Sequence, residues 1–169
     1  MQTAEEICDA LARQGISFVR YEHPPVATCE EAAQHLSGID GVGSKNLFLR
    51  NKRGDRYFLV SVPETKRVAL HELSKRLGEG KLSFASADEL GQFLGVAPGA
   101  VTILGLVNDT GRSVAAFVDR ELWEADAVQC HPLVNTATVV VAPRDIERFL
   151  HSFNREVSVI EVPAVSPGL

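Results

Sequence analysis

The chain has 169 residues, 45% hydrophobic and 23% charged, which suits one globular domain with a sizeable core. Its net charge of −5 argues against broad polyanion binding, and no apolar run approaches the roughly 18 residues of a membrane span. Three cysteines without a C-x-x-C pair argue against a disulfide framework or zinc knuckle, and the acidic start (Glu5, Glu6, Asp9) is unlike a signal peptide, so a soluble, cytoplasmic protein is expected.

Residues 3–14 read as an amphipathic helix. Ile7, Ala10 and Leu11 recur at helical spacing, Thr3 and Glu6 form an S/T-x-x-E box, and Gly15 stops the helix. Residues 16–21 alternate as a short strand, and Glu22-His23-Pro24-Pro25 follows as a stiff extended connection. Thr28-Cys29-Glu30-Glu31 is a second capping box, opening a helix through His35 or Leu36 that Gly38 ends. His23 and His35 have no acidic or metal-ligand partner at useful spacing and read as structural or surface residues. Residues 38–44 form a glycine-rich loop, G-I-D-G-V-G-S. It lacks the G-K-[ST] of a P-loop and opens a strand rather than a helix, so it is weak evidence for a phosphate cradle. The strand is expected from Lys45, with Leu47 and Leu49 on one face and Asn46 and Phe48 on the other. Residues 51–56, containing Gly54-Asp55, make a hairpin turn into a second strand over 57–62.

Pro63 ends that strand. Residues 68–77 read as a helix closed by Gly78, 81–84 as a short extended piece, and 86–94 as a capped helix beginning Ser86-Ala87-Asp88-Glu89. The loop over 95–102 carries the Pro98-Gly99 turn signal. Its backbone N–H groups suit an ester oxyanion or a phosphate, although an ordinary turn is the commoner use. Residues 108–112 predict another hairpin turn, leading into a strand over 113–118 and a helical turn over 119–123. Residues 130–141, C-H-P-L-V-N-T-A-T-V-V-V, place His131 and Asn135 at the mouth of a β-branched core strand, with Pro132 stiffening the turn. Satisfying the turn backbone is the bland use of both side chains. Residues 143–153 are a last amphipathic helix with proline at its start, 157–162 a final strand, and 163–169 a flexible tail. The fold class is mixed α/β (α+β). One domain over 1–162 is expected, with a central mixed, largely antiparallel sheet flanked by helices.

Charge is distributed unevenly. Between positions 45 and 81 there are ten bases and four acids, a surplus of six, so the rest of the chain carries eleven excess acids. An acidic body with a basic middle third can hold one phosphate-bearing ligand locally while repelling generic polyanion; a solvated face is the plainer reading.

Five separated blocks carry a family resemblance: E-H-P-P-V at 22–26, K-N-L-F-L at 45–49, K-L-S-F-A-S at 81–86, G-V-A-P-G-A-V at 95–101 and H-P-L-V-N-T at 131–136. Together they make the chain resemble the YbaK/prolyl-tRNA synthetase-associated editing family over about 16–150, and most of all its free-standing branch that removes alanine from tRNA(Pro). Thr102-Ile103-Leu104 departs from the Thr-Pro pair expected there. The resemblance implies hydrolysis of an aminoacyl-tRNA ester without metal or cofactor. Lys45 would hold the terminal phosphate or offset developing negative charge, and Gly99 and Ala100 would offer N–H groups to the carbonyl oxygen. His131 and Asn135 would orient substrate or water, with Asn46 also contacting substrate. Either His131 or the terminal ribose hydroxyl could act as base. Cys130, after apolar Ala127-Val128, reads as packing rather than as a nucleophile. Arg50, Lys52, Arg53 and Lys81 are the candidates to meet the acceptor end of tRNA(Pro), with prolyl-tRNA synthetase or elongation factor as transient partners. The alternatives are a Cys-tRNA or Ser-tRNA deacylase of the same family, or a non-catalytic tRNA- or synthetase-binding module.

Overall fold

Alternating apolar residues on either side of Gly54-Asp55 fold back on each other and make the spine of the molecule. In the computed structural model, which describes residues 1–25, 34 and 38–166, β2 (Val42–Asn51) and β3 (Tyr57–Pro63) pair antiparallel, with Lys45 opposite Val62 and Asn46 opposite Ser61. Gly54 takes φ 72°, the left-handed geometry the tight turn requires. The sheet extends outward from this hairpin in the order β1-β7-β6-β2-β3-β5-β8, with β4 also paired to β2. The other strands are β1 (Phe18–Glu22), β4 (Leu82–Phe84), β5 (Val114–Asp119), β6 (Val128–Cys130), β7 (Ala137–Val141) and β8 (Ser158–Ile160). Among the described residues, β1–β7, β2–β3, β2–β4 and β6–β7 are antiparallel, while β2–β6, β3–β5 and β5–β8 are parallel. The sheet is therefore mixed, as expected.

Side-chain alternation divides the core in two. Phe48 and Leu59 face a large cluster built with α1 (Ala4–Arg13), α3 (Ala87–Leu94) and α5 (Pro143–Ser152), to which Leu11, Leu94 and Phe149 contribute. Leu49, Phe58, Val60 and Val62 face a smaller cluster closed by Leu73 of α2 (Leu70–Arg76). The capping predictions hold locally. Thr3 accepts from the Glu6 N–H, and Ser86 and Glu89 form a reciprocal capping box.

Four expectations are corrected. The strand begins at Val42, not Lys45, because Val42 N–H already donates to Ala127 O and Gly43 lies in register with Gln129. Residues 108–112 are not a β-hairpin turn. Ile103–Asn108 is a 3₁₀ helix, and β5 then finds parallel partners instead of an antiparallel neighbour. The helix expected from 68 begins at Leu70, since Val68 bridges Ala164. That bridge, with Ala69 N–H donating to Pro163 O and Val165 N–H to Arg67 O, holds 163–165 in place where a flexible tail was expected. Apart from Gln34, the helix expected over 28–36, with Cys29 and His35, lies outside the described residues, as do 167–169.

Candidate active site

A gap in the sheet makes the site. Among the described residues, β2 pairs on its side away from β3 with β6 only at Val42 and Gly43 and with β4 only from Leu49 to Asn51. Strand hydrogen bonding alternates between edges. Glu64 N–H donates to Gly43 O and Asn51 N–H to Arg56 O, so the odd-numbered residues of β2 bond toward β3. The even-numbered ones face the other edge, where Phe48 O accepts from Ala85 N–H. Asn46, midway between β6 and β4, therefore presents its backbone N–H to the gap.

A small cavity of about 30 Å³ opens there, lined by Gly43, Ser44 and Asn46 of β2, by Glu64, and by Gln129, Cys130, His131 and Thr138 from the β6–β7 hairpin. Larger surface grooves of about 500 and 420 Å³ lie along α5 and the β5–β8 edge, and neither contains a predicted site residue. Among the described residues, chemically capable groups meet in the smaller cavity. His131 Nδ1 lies 3.0 Å from Ala137 O. A carbonyl only accepts, so Nδ1 carries the proton and Nε2 holds the lone pair in the neutral ring. Burial, opposed by that hydrogen bond and aided by nearby His23, pulls the imidazole below its ordinary pKa, so it is neutral near pH 7. Asn46 Oδ1 accepts from the Ser61 hydroxyl at 2.5 Å, which leaves its amide N–H₂ as the donor end.

His23 is a residue the sequence reading undervalued. It has partners: Nδ1 lies 2.9 Å from Pro24 O, and Nε2 lies 2.8 Å from the hydroxyl of Thr138, a cavity residue. Its ring centroid is 6.3 Å from that of His131. The contact is created by β1–β7 pairing, which sets Glu22 beside Ala137 across more than a hundred residues of chain. Glu64 was also missed. Only its position after the strand-ending Pro63 could have drawn attention to it.

The remaining predicted residues are distributed as follows. Lys45 neighbours Asn46 and so lies on the opposite face of the sheet, with Leu47 and Val62. It does not line the cavity, and it has no ion pair among the described residues. Asn135 sits in the β6–β7 turn, where Leu133 at φ 68° buries its side chain, and is not a cavity residue either. The Pro98-Gly99 loop forms a closed turn. Gly99 has φ 90°, and the Ala100 N–H is engaged by Ala97 O at 3.0 Å. Neither Gly99 nor Ala100 reaches the cavity lining. Cys130 does, but burial pushes its thiol up to about 12, so it carries no thiolate at neutral pH.

The basic segment is only partly free. Arg50 pairs with Glu89 at 2.8 Å, Arg53 with Asp55 at 3.6 Å, and Arg56 with Glu79. Lys52 and Lys81 have no ion pair among the described residues. They share with Arg50 and Phe84 a surface cleft of about 390 Å³, and Phe84 is 64% exposed.

Three kinds of comparison relate the chain to known proteins. The family profile for the aminoacyl-tRNA editing domain matches residues 23–149. The chain is 44% identical over 148 residues to prolyl-tRNA synthetase associated domain-containing protein 1 of Danio rerio, covering 86% of this chain and 80% of that one. It is 32% identical over 163 residues to the prolyl-tRNA editing protein ProX of Acetoanaerobium sticklandii, covering 96% and 99%. A crystal structure of a candidate trans-editing enzyme for prolyl tRNA synthetase superposes with TM-score 0.72 at 22% identity, covering 98% of this chain and 99% of that one; at that identity it speaks for the fold alone.

Proposed function

This chain belongs to the aminoacyl-tRNA editing domain family, and on that premise we propose that it hydrolyses the ester of mischarged alanyl-tRNA(Pro). The observation that carries the choice of amino acid is the size of the cavity beside His131 and Asn46. The cavity is narrow, about 30 Å³, which favours the smallest side chain over a pyrrolidine ring. A synthetase site built for proline cannot firmly reject alanine, because each missing methylene is worth only about 1–3 kcal/mol. A second site that admits alanine and excludes proline repairs the error.

The chemistry needs a positioned water, a base and a stabilised oxyanion. Water attacks the ester carbonyl carbon while His131 Nε2 takes its proton. The Asn46 backbone N–H, with the Asn46 side-chain amide beside it, receives the charge developing on the carbonyl oxygen; this role moves to the sheet gap because Ala100 N–H closes its own turn. Collapse of the tetrahedral intermediate expels the terminal ribose oxygen, which recovers the proton from His131. Lys45, on the other face of β2, is assigned to a phosphate of the terminal nucleotides. Lys52 and Lys81 extend that contact toward the acceptor end, with Phe84 as an aromatic surface for a base.

The test is deacylation of Ala-tRNA(Pro), Pro-tRNA(Pro) and Cys-tRNA(Pro) by the wild type and by Lys45→Ala. Release of alanine alone, with kcat/KM falling about tenfold or more in the variant, is the expected result. Release of cysteine instead would keep the family and overturn the pocket assignment. A folded protein that binds tRNA but cleaves none of the three would be a binding module.

A further inference from the structure

Glu64 has no role in the chemistry above, yet its carboxylate stands in the cavity. It is positioned by two features of the backbone. Its N–H donates to Gly43 O at 2.9 Å, fixing the residue at the end of the hairpin, and its carboxyl group lies against Gly43 itself. A Cβ at position 43 would overlap the carboxyl carbon and both oxygens, so the glycine is what lets the carboxylate occupy that place.

The groups around it leave it unsatisfied. Among the described residues the Glu64 carboxyl makes no hydrogen bond or ion pair. The Ser44 hydroxyl donates to Gln129 O at 2.6 Å. The Gln129 amide is turned to the carbonyls of Asp40 and Gly41, at 3.1 and 3.3 Å. The Thr138 hydroxyl is engaged by His23 Nε2. The donors of Ser44, Gln129 and Thr138 are thus directed away from Glu64, the one charged group among the lining residues. Burial, with no cation to offset it, raises the carboxyl pKa. A lone carboxylate held in a polar cavity is a seat for a small cation that brings its own N–H donors.

We propose that Glu64 binds the α-ammonium group of the aminoacyl ester, so that the site recognises esters of free α-amino acids and discriminates against esters that lack the amine. The inference rests on the ester-hydrolase reading. It adds a requirement that reading does not contain. With the ammonium on Glu64 and the carbonyl oxygen at the Asn46 N–H, two points of the substrate are fixed and the side chain is left to the remaining space.

The probe is a pair of esters on the same tRNA(Pro), L-alanyl and L-lactyl, which differ by hydroxyl for ammonium with little change in bulk. Each rate is normalised to that ester's spontaneous hydrolysis. Wild type is expected to prefer the alanyl ester by about 10–100-fold in kcat/KM, the range of a hydrogen bond to a charged group. Glu64→Gln, which keeps the side-chain shape, is expected to raise KM for the alanyl ester by a similar factor, leave the lactyl ester unchanged and so erase the preference. Equal wild-type rates on the two esters would overturn the inference while the hydrolase reading stands. An equal fall in kcat on both esters in Glu64→Gln would overturn it too, making Glu64 the base. Cleavage of neither ester by wild type would bring down the hydrolase reading itself, and the inference with it.

Discussion

Replacing His131 by alanine should lower kcat for alanyl ester hydrolysis by roughly 10²–10⁴-fold, the usual contribution of a positioned general base, with KM changed little. The expectation follows from the tautomer. Ala137 O fixes the proton on Nδ1, so Nε2 is the lone-pair nitrogen of the ring. The pH profile supplies a second readout with a definite sign. The base form is the neutral one, and burial holds the pKa below the ordinary 6.5. The rate should therefore fall at acid pH with a midpoint below 6.5, and a midpoint above 6.5 would contradict the assignment. A 2′-deoxy terminal adenosine separates the rival base. If the ribose hydroxyl carries the proton transfer, that substrate loses its rate in wild type, and His131→Ala costs less than tenfold on the normal one.

Replacing Asp109 by alanine should destabilise the fold by about 3–5 kcal/mol, roughly 6–20 °C in Tm for a chain of this size. Asp109 and Arg155 are both almost fully buried and pair at 3.3 Å. The carboxylate also accepts from the N–H groups of Ser113 and Val114, at 3.0 and 2.9 Å, where the chain enters β5. Its loss leaves a buried guanidinium unpaired and two backbone donors without an acceptor. Adding Arg155→Met to Asp109→Ala should recover part of the loss by removing the orphan charge, but not the part owed to the backbone donors. Thermal melts of the single and double variants measure both. A shift below 2 °C for Asp109→Ala would show that water reaches the site and that the pair is not structural.

What the sequence made legible was local. The β2–β3 hairpin was readable because Gly54-Asp55 and two alternating strands lie within a few residues of each other. The Ser86–Glu89 capping box was readable because both partners sit in one turn. The 3₁₀ helix at Ile103–Asn108 was not, since its apolar run is equally at home in a strand and is decided by packing against α3. Nor does any local signal tell β5 that it will pair parallel with β3 and β8. The site divides in the same way. His131 and Asn46 were identified from their blocks and line one cavity. Lys45 carries a block's first letter, but strand alternation turns it to the other face. Glu64 depends on a missing side chain at Gly43, and His23 on a strand more than a hundred residues away; such relations exist only after folding.

The gap in β2 also bears on the order of events during folding. One edge of that strand is closed by β3 across a short turn, whereas the other meets β6 through contacts such as Ser44 to Gln129, 85 residues apart. Loop closure favours near contacts first, so the hairpin should be protected early and the cavity completed late. In a refolding time course, amide protection in β2 and β3 should precede recovery of hydrolysis. Simultaneous recovery would mean that the distant strands are part of the nucleus. A nascent chain released before residue 130 would then own a sound hairpin and no chemistry, since His131 and the hairpin that carries it lie beyond that point in the chain.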